Sequence, residues 1–263
     1  MTWLRGVSRR AFLIDLGRGS IAAVALGAGA CGKSSTPAER RASSSPKPSS
    51  SSVLPPSESS TAGPPGGAGG LSYRRVELGS GFVSAFVLVR GEEAAIVDTG
   101  IERGDVEDIG RAVGAAGRQW DDVRHVILTH SHYDHVGSLT GVVERAARAT
   151  VYAGAADIPA IRSPRKISPV GDGDEVFGFR VIETPGHTPG HIAVLDPLAS
   201  VLLIGDALFN TQPLRPLDNV DDDEANASVR KLAALDFETV LFGHGEPIVQ
   251  GADAAVRDVA ERL

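Results

Sequence analysis

Apolar and polar positions alternate in short bursts from residue 71 to the end of the chain, whereas large apolar side chains all but vanish over residues 31–70. Runs rich in β-branched residues and bounded by Gly, Asp or Pro predict strands over 73–78, 82–89, 94–97, 123–129, 150–152, 179–183, 192–195, 201–204 and 239–242. Apolar spacings of three and four predict helices between them. One is capped by Asp105 with Val106, Ile109 and Val113 on a single face, and others cover 136–147, 222–235 and 252–263. Early strands in hairpins, then strands alternating with helices, predict one layered α/β domain over residues 71–263. No period of about twenty to fifty residues recurs, which argues against a repeat protein.

The N-terminal third follows other rules. Residues 1–30 place Arg5, Arg9 and Arg10 ahead of a run of small apolar side chains at 21–30, too short to span a bilayer permanently. Ser8-Arg9-Arg10-Ala11-Phe12-Leu13 resembles a twin-arginine signal, and Ala28-Gly29-Ala30-Cys31 resembles a bacterial lipobox with Ala28 where Leu is usual. These resemblances imply a signal peptide over 1–30 and an exported lipoprotein anchored through Cys31 on the extracytoplasmic side of a bacterial membrane. The plainer alternative is an ordinary Sec signal or an uncleaved anchor. Residues 31–70 are rich in Ser, Pro and Gly with hardly a large apolar side chain, a composition that cannot form a core and reaches roughly 35 Å as a coil.

Charge then limits the partners. The 263 residues carry 26 basic and 33 acidic side chains, but residues 71–263 alone hold 18 and 30, a net charge of −12 that repels nucleic acid and anionic lipid. Aromatic residues at 5% leave few platforms for stacking bases. The expected partner is a small-molecule substrate, with membrane contact only through a lipid on Cys31. Because Cys31 is the one cysteine, a disulfide within the chain is excluded, and a metal would have to use His and carboxylate. All seven histidines lie beyond residue 71.

The densest chemistry closes the apolar run at 123–129, in Leu128-Thr129-His130-Ser131-His132-Tyr133-Asp134-His135-Val136-Gly137. Extended backbone points residues i and i+2 the same way, so His130 and His132 can address one metal. Asp134 and His135 belong to the next turn, and if a helix starts there they aim at a neighbouring position, so one loop can serve two ions. Gly137 removes a side chain where that helix must pack close. Three further strand-like runs lead into Thr184-Pro185-Gly186-His187-Thr188-Pro189-Gly190-His191, Ile204-Gly205-Asp206 and Phe242-Gly243-His244-Gly245. Ligands delivered from several strand ends to one edge are how α/β domains assemble active sites.

The order His-x-His-x-Asp-His, Thr-Pro-Gly-His, Gly-Asp and Gly-His resembles the metallo-β-lactamase superfamily over about residues 71–263. The resemblance implies an αββα four-layer sandwich with metals in a shallow groove at one edge. It implies that His130, His132 and His187 hold a first metal, that Asp134, His135 and His244 hold a second, and that Asp206 bridges both. Val97-Asp98-Thr99-Gly100 matches the family's first motif, where the Asp supports the ligands; on its own Asp98 can equally cap the turn at Gly100. Imidazole and carboxylate suit zinc and leave a position for water. Two cations sharing one water lower its pKa from near 16 toward roughly 7, so the expected nucleophile is a metal-bridging hydroxide. Asp134 is the expected catalytic residue, orienting it and relaying its proton. The expected cofactors are two divalent metal ions, zinc first, with iron or manganese as alternatives.

The remaining candidates have plainer readings. His125 reads as a strand-edge residue, His191 as packing or support, and the acidic run 221–224 as a helix start favoured by the helix dipole. Arg162, Arg165 and Lys166 read as a solvated basic loop before an anion clamp. Residues 71–263 lack the Cys ligand of some β-lactamases, and only 19 residues follow His244, where glyoxalase II carries a helical domain for its glutathione thioester. The spacing between motifs leaves no room for the domain inserted in the superfamily's nucleases. Phe209 stands where homoserine-lactone hydrolases have Tyr. The expectation is a compact glyoxalase II-like or lactonase-like hydrolase of a small ester, lactone or thioester, with substrate selected by loops 162–176 and 209–220. The alternatives are a mononuclear-iron, persulfide dioxygenase-like oxidoreductase using His130, His187 and Asp206, and a non-catalytic metal-binding lipoprotein.

Overall fold

The computed structural model describes residues 70–211 and 213–263, so the expectations for the signal, Cys31 and nearly all of the linker lie outside the described residues. Strands β1 (Leu71–Leu78), β2 (Val83–Arg90) and β3 (Glu93–Val97) form an antiparallel meander. It continues in parallel through β4 (Val123–Leu128), β5 (Thr150–Gly154) and β6 (Ile167–Val170) into a six-stranded sheet in sequence order. The second sheet has five strands, β7 (Glu175–Val176), β8 (Phe179–Glu183), β9 (Ile192–Asp196), β10 (Val201–Gly205) and β11 (Thr239–Phe242), antiparallel except for the β10/β11 pair.

Alternation along each strand decides the layers, because successive side chains point to opposite faces. Phe86 and Leu88 of β2, with Ala95 and Val97 of β3, meet Phe179, Val181, Val194 and Leu203 between the sheets. Their neighbours Ala85, Val87 and Ile96 pack outward against Val106, Ile109 and Val113 of α1 (Arg103–Ala115) and Val142 of α3 (Leu139–Arg145). On the other side, Ile182, Ala193 and Leu202 pack against Val229 and Leu232 of α4 (Asp222–Ala233) and Val256 and Val259 of α5 (Ala252–Arg262). With both faces covered, these strands have no polar side, and the result is the four-layer αββα sandwich. No helix among the described residues is long and apolar enough to cross a membrane.

Local chemistry revises three expectations. Glu102, not Asp105, is the N-cap of α1; Asp105 sits three residues in and completes a capping box, accepting from the Ile101 and Glu102 N–H groups at 2.6 and 3.0 Å. The helix expected over 136–147 is broken at Gly137 and Ser138, so a single turn, α2 (Tyr133–Val136), precedes α3. The segment 162–176, expected as a substrate loop, supplies the edge strands β6 and β7, which are too short and too interrupted by Pro169 for a period-two signal. Within it Arg165 donates to the Ala147 carbonyl at 2.8 Å, just past the end of α3. Asp221 accepts from the Glu224 N–H at 2.9 Å and caps α4, as the acidic run implied.

Candidate metal centre

The ligand-type residues leave the C-terminal ends of β3, β4, β10 and β11 and the β8–β9 loop, all at one edge of the sandwich. His130 follows β4, His132 is in extended backbone, and α2 begins at Tyr133, so the expected turn of the chain between His132 and Asp134 occurs. The turn can form only because Gly137 lies against the Ile101 carbonyl, where any Cβ would overlap backbone. Its N–H reaches the Gly100 carbonyl at 2.8 Å.

Three sets of ligand atoms come together, each within 4.8 Å: His130, His132 and His187; Asp134, His135 and His244; and His130, His135 and Asp206. The third straddles the other two, because Asp206 lies between them. Its Oδ2 is 3.8 Å from His130 Nε2, 3.4 Å from His135, 3.5 Å from His187 and 3.2 Å from His244. Asp134 Oδ2 is 3.2 Å from His244 Nε2 and 3.7 Å from His135 Nε2. All seven residues singled out in the sequence are therefore adjacent.

The opposite ring nitrogens show why these atoms converge. His135 Nδ1 bonds to Asp98 Oδ2 at 2.9 Å, His187 Nδ1 donates to the Leu217 carbonyl at 3.0 Å, and His244 Nδ1 donates to the Phe82 carbonyl at 2.6 Å. His130 Nδ1 meets Thr129 Oγ1 at 3.0 Å, and that hydroxyl donates to Asp98 Oδ2 at 2.8 Å. Each ring is thus held with Nε2 facing the cluster. Among the described residues His130 Nε2, His187 Nε2 and Asp206 Oδ1 are buried without a hydrogen-bond partner. An unpaired buried polar atom costs about 1–3 kcal/mol. Lone pairs and a carboxylate aimed at shared positions are the donor set a divalent cation satisfies, so the residues fit the metal that their spacing implied.

Asp98 supports the ligands, and none of its side-chain hydrogen bonds goes to the turn at Gly100. It occupies the left-handed region with φ 60° at the turn before Gly100, and it accepts from the Thr129 N–H at 2.8 Å as well as from the Thr129 hydroxyl and His135. His191 supports the cluster: it donates from Nδ1 to Thr184 Oγ1 at 2.7 Å and accepts the Asp206 N–H at Nε2 at 3.0 Å. Burial among other histidines pushes it down to about 3, keeping Nε2 free to accept. His125 lies apart, packed between Tyr152 and Phe177. The Phe82 and Leu217 carbonyls carry no sequence signal, since any residue supplies a carbonyl.

Charge divides the cluster. Burial opposes ionisation of Asp206, yet the charge and hydrogen bonds of His135, with help from His244, hold its carboxyl well below the usual range. Burial opposes protonation of His135 too, and is outweighed by Asp206 and Asp98, which raise it well above 6.5. For His244, burial is outweighed by Asp134 and Asp206, raising it to about 9. Burial instead lowers His130 and His187. Metal loading at neutral pH should therefore release protons from the His135–His244 side and none from His130 or His187. Affinity on the His135–His244 side should fall as pH drops below about 9, because a protonated Nε2 has no lone pair to give. Stepwise zinc titration in weak buffer, with released protons counted, checks this; equal pH dependence of the two steps would contradict it.

Comparison with known proteins agrees with this architecture. A hydroxyacylglutathione hydrolase from Acidiphilium cryptum is 36% identical over 167 residues, covering 61% of this chain and 63% of its own length. The chain spans about three fifths of the first hydroxyacylglutathione hydrolases it matches. Among solved structures, a metallo-beta-lactamase family protein from Thermus thermophilus superposes with a TM-score of 0.61 at 25% identity, covering 74% of this chain and 78% of the other. TTHA1623, solved in a di-iron-bound form, gives 0.58 at 31% identity and covers 68% and 96%. The metallo-beta-lactamase superfamily model matches residues 78–244, from the last residue of β1 to His244. With the four-layer fold, the convergent His and Asp set and a match over most of the sequence, the chain belongs to the metallo-beta-lactamase superfamily.

Proposed function

We propose that the protein is a metal-dependent hydrolase that holds two divalent cations and cleaves a small ester, lactone or thioester. The observation that carries this reading is the convergence of buried, unpartnered His130 Nε2, His187 Nε2 and Asp206 Oδ1 beside the second set Asp134, His135 and His244. His130, His132 and His187 would hold one cation, Asp134, His135 and His244 the other, and Asp206 both. Cations bound there supply Lewis acidity to a carbonyl oxygen and make water nucleophilic near neutral pH.

The chain's own residues do the rest. Asp134, with its side chain 25% exposed, is the carboxylate that the cluster opens to solvent, and it orients the attacking water and takes its proton. Burial raises its carboxyl, but His244 and His135 outweigh this and keep it ionised and ready to accept. Phe209 stacks on His244 with centroids 4.9 Å apart and excludes water from that side. It supplies no phenol, so substrate polarisation falls to the cations.

Zinc is the expected metal, and the di-iron form of TTHA1623 makes iron the next candidate. Elemental analysis of the purified protein should find about two metal ions per chain, falling to about one in His244→Ala, with ester, lactone or thioester hydrolysis lost in parallel. One tightly held iron and no second site would favour persulfide oxygenation instead, and full loading without any hydrolysis would favour a metal-binding lipoprotein. The reading for residues 1–31 is likewise our proposal: export and lipid attachment at Cys31. It fails if Cys31→Ser leaves membrane association unchanged.

A further inference from the structure

His132 differs from the other histidines of the cluster. His130, His135, His187 and His244 each have the ring nitrogen away from the cluster held by a hydroxyl, a carboxylate or a carbonyl. The His132 ring touches His130 and His187, with centroids 4.8 and 4.5 Å away, but forms no hydrogen bond among the described residues. Its direction is therefore set through its backbone, and the peptide joining His130 to Ser131 is held by a residue outside every motif. The Ser131 N–H donates to Asp157 Oδ2 at 2.7 Å.

Asp157 is 2% exposed and stands just before a turn of 3-10 helix, Ile158–Ala160, where an Asp side chain would ordinarily cap the following N–H groups. It makes no such bond. Its carboxylate instead spans two loops, accepting from Ser131, from Thr188 Oγ1 at 2.7 Å and from the Gly190 N–H at 2.7 Å. Ser131 lies between His130 and His132; Thr188 follows His187. One buried carboxylate thus ties together the two loops that carry the first set of ligand atoms. The glycines around it are shaped for this approach. A Cβ on Gly190 would lie 2.4 Å from the Asp157 backbone N and 2.8 and 2.9 Å from its Cβ and Cγ, and a Cβ on Gly154 would overlap the Gly190 carbonyl.

We infer that Asp157 is a positioning residue for the His130–His132–His187 side of the cluster, setting its metal affinity by fixing how the two loops face each other. The inference rests on the metal-site reading above. Loss of groups that orient ligands weakens metal binding by about 10- to 100-fold. The weakening here should be confined to one side, because Asp157 touches neither the Asp134–His135 turn nor the His244 loop.

The test measures zinc affinity of the apo full-length protein against a chromophoric chelator, with folding followed by circular dichroism. In a His244→Ala background, which isolates the first side, Asp157→Ala should weaken binding about 10-fold or more. In a His132→Ala background, which leaves the second side, it should change little. Asp157→Asn should fall between, since an amide keeps one accepting oxygen but presents a donor to a second N–H. Gly190→Ala, whose added Cβ would push Asp157 away through its main chain as well as its side chain, should reproduce the one-sided loss and serves as the second variant if Asp157→Ala folds poorly. Equal weakening in both backgrounds, or none in either, overturns the inference while leaving the hydrolase reading in place. Failure of the unmodified protein to bind zinc, iron or manganese overturns both.

Discussion

Replacing Asp206 by Ala should empty both sides of the cluster and reduce hydrolysis by about a thousandfold or more. Its Oδ2 lies within 3.8 Å of four imidazole Nε2 atoms, two from each side, so no other single change removes a donor from both. If loss of an orienting group costs about 10- to 100-fold in affinity, loss of a donor shared by two sites costs at least that at each. Charge acts in the same direction: without the carboxylate, two divalent cations would face mainly neutral rings at close range. Asp206→Asn keeps the shape and one carbonyl oxygen but not the charge, and should behave nearly as badly. Metal content and kcat/KM, measured on the same preparations, check the prediction. Full metal content in Asp206→Ala would remove Asp206 from its place between the sites.

The second large effect should come from one methyl group. Gly243→Ala would place a Cβ on the Asp206 carboxylate and 2.8 Å from His135 Cε1. The strand end cannot retreat, because the Gly243 N–H donates to Gly205 O at 3.0 Å and its carbonyl accepts the Ser84 N–H at 2.8 Å. Overpacking of this kind costs about 1–3 kcal/mol of stability, a melting point lower by several degrees. The activity loss should be larger, about 100-fold, since Asp206 would have to shift by about 1 Å from the position shared by four rings. A thermal melt beside a rate measurement separates the two effects. Native activity in Gly243→Ala would mean that the carboxylate has room to move, and that the cluster is looser than its packing indicates.

The same two residues show what could be read in advance. Asp206 follows an apolar run and carries ligand chemistry, so it was legible as a site candidate. Gly243 sits in Phe242-Gly243-His244-Gly245, but the atoms its missing side chain would strike come from Gly205-Asp206 and from α2, remote in sequence. Asp157 is the stronger case. Within Ala155-Ala156-Asp157-Ile158 nothing local says that its carboxylate meets Ser131, Thr188 and Gly190.

By itself the sequence determined most strands and helices, an α/β class and the chemical inventory. Strands buried on both faces show as runs such as Val201–Gly205, and clustered His and Asp at strand ends show because those side chains carry their chemistry wherever the chain places them. Only the tertiary structure decided the directions of the His244 and His187 rings, through the carbonyls of Phe82 and Leu217, and which histidines lie closest to the buried Asp206 carboxylate. It also decided that residues 167–170 and 175–176, within the segment expected as a loop, pair as sheet edges. The physical reason is common to all of these. Periodicity and residue type are local, whereas a hydrogen bond to a distant carbonyl, the field of a buried carboxylate and the pairing of an edge strand depend on which segments the fold brings side by side.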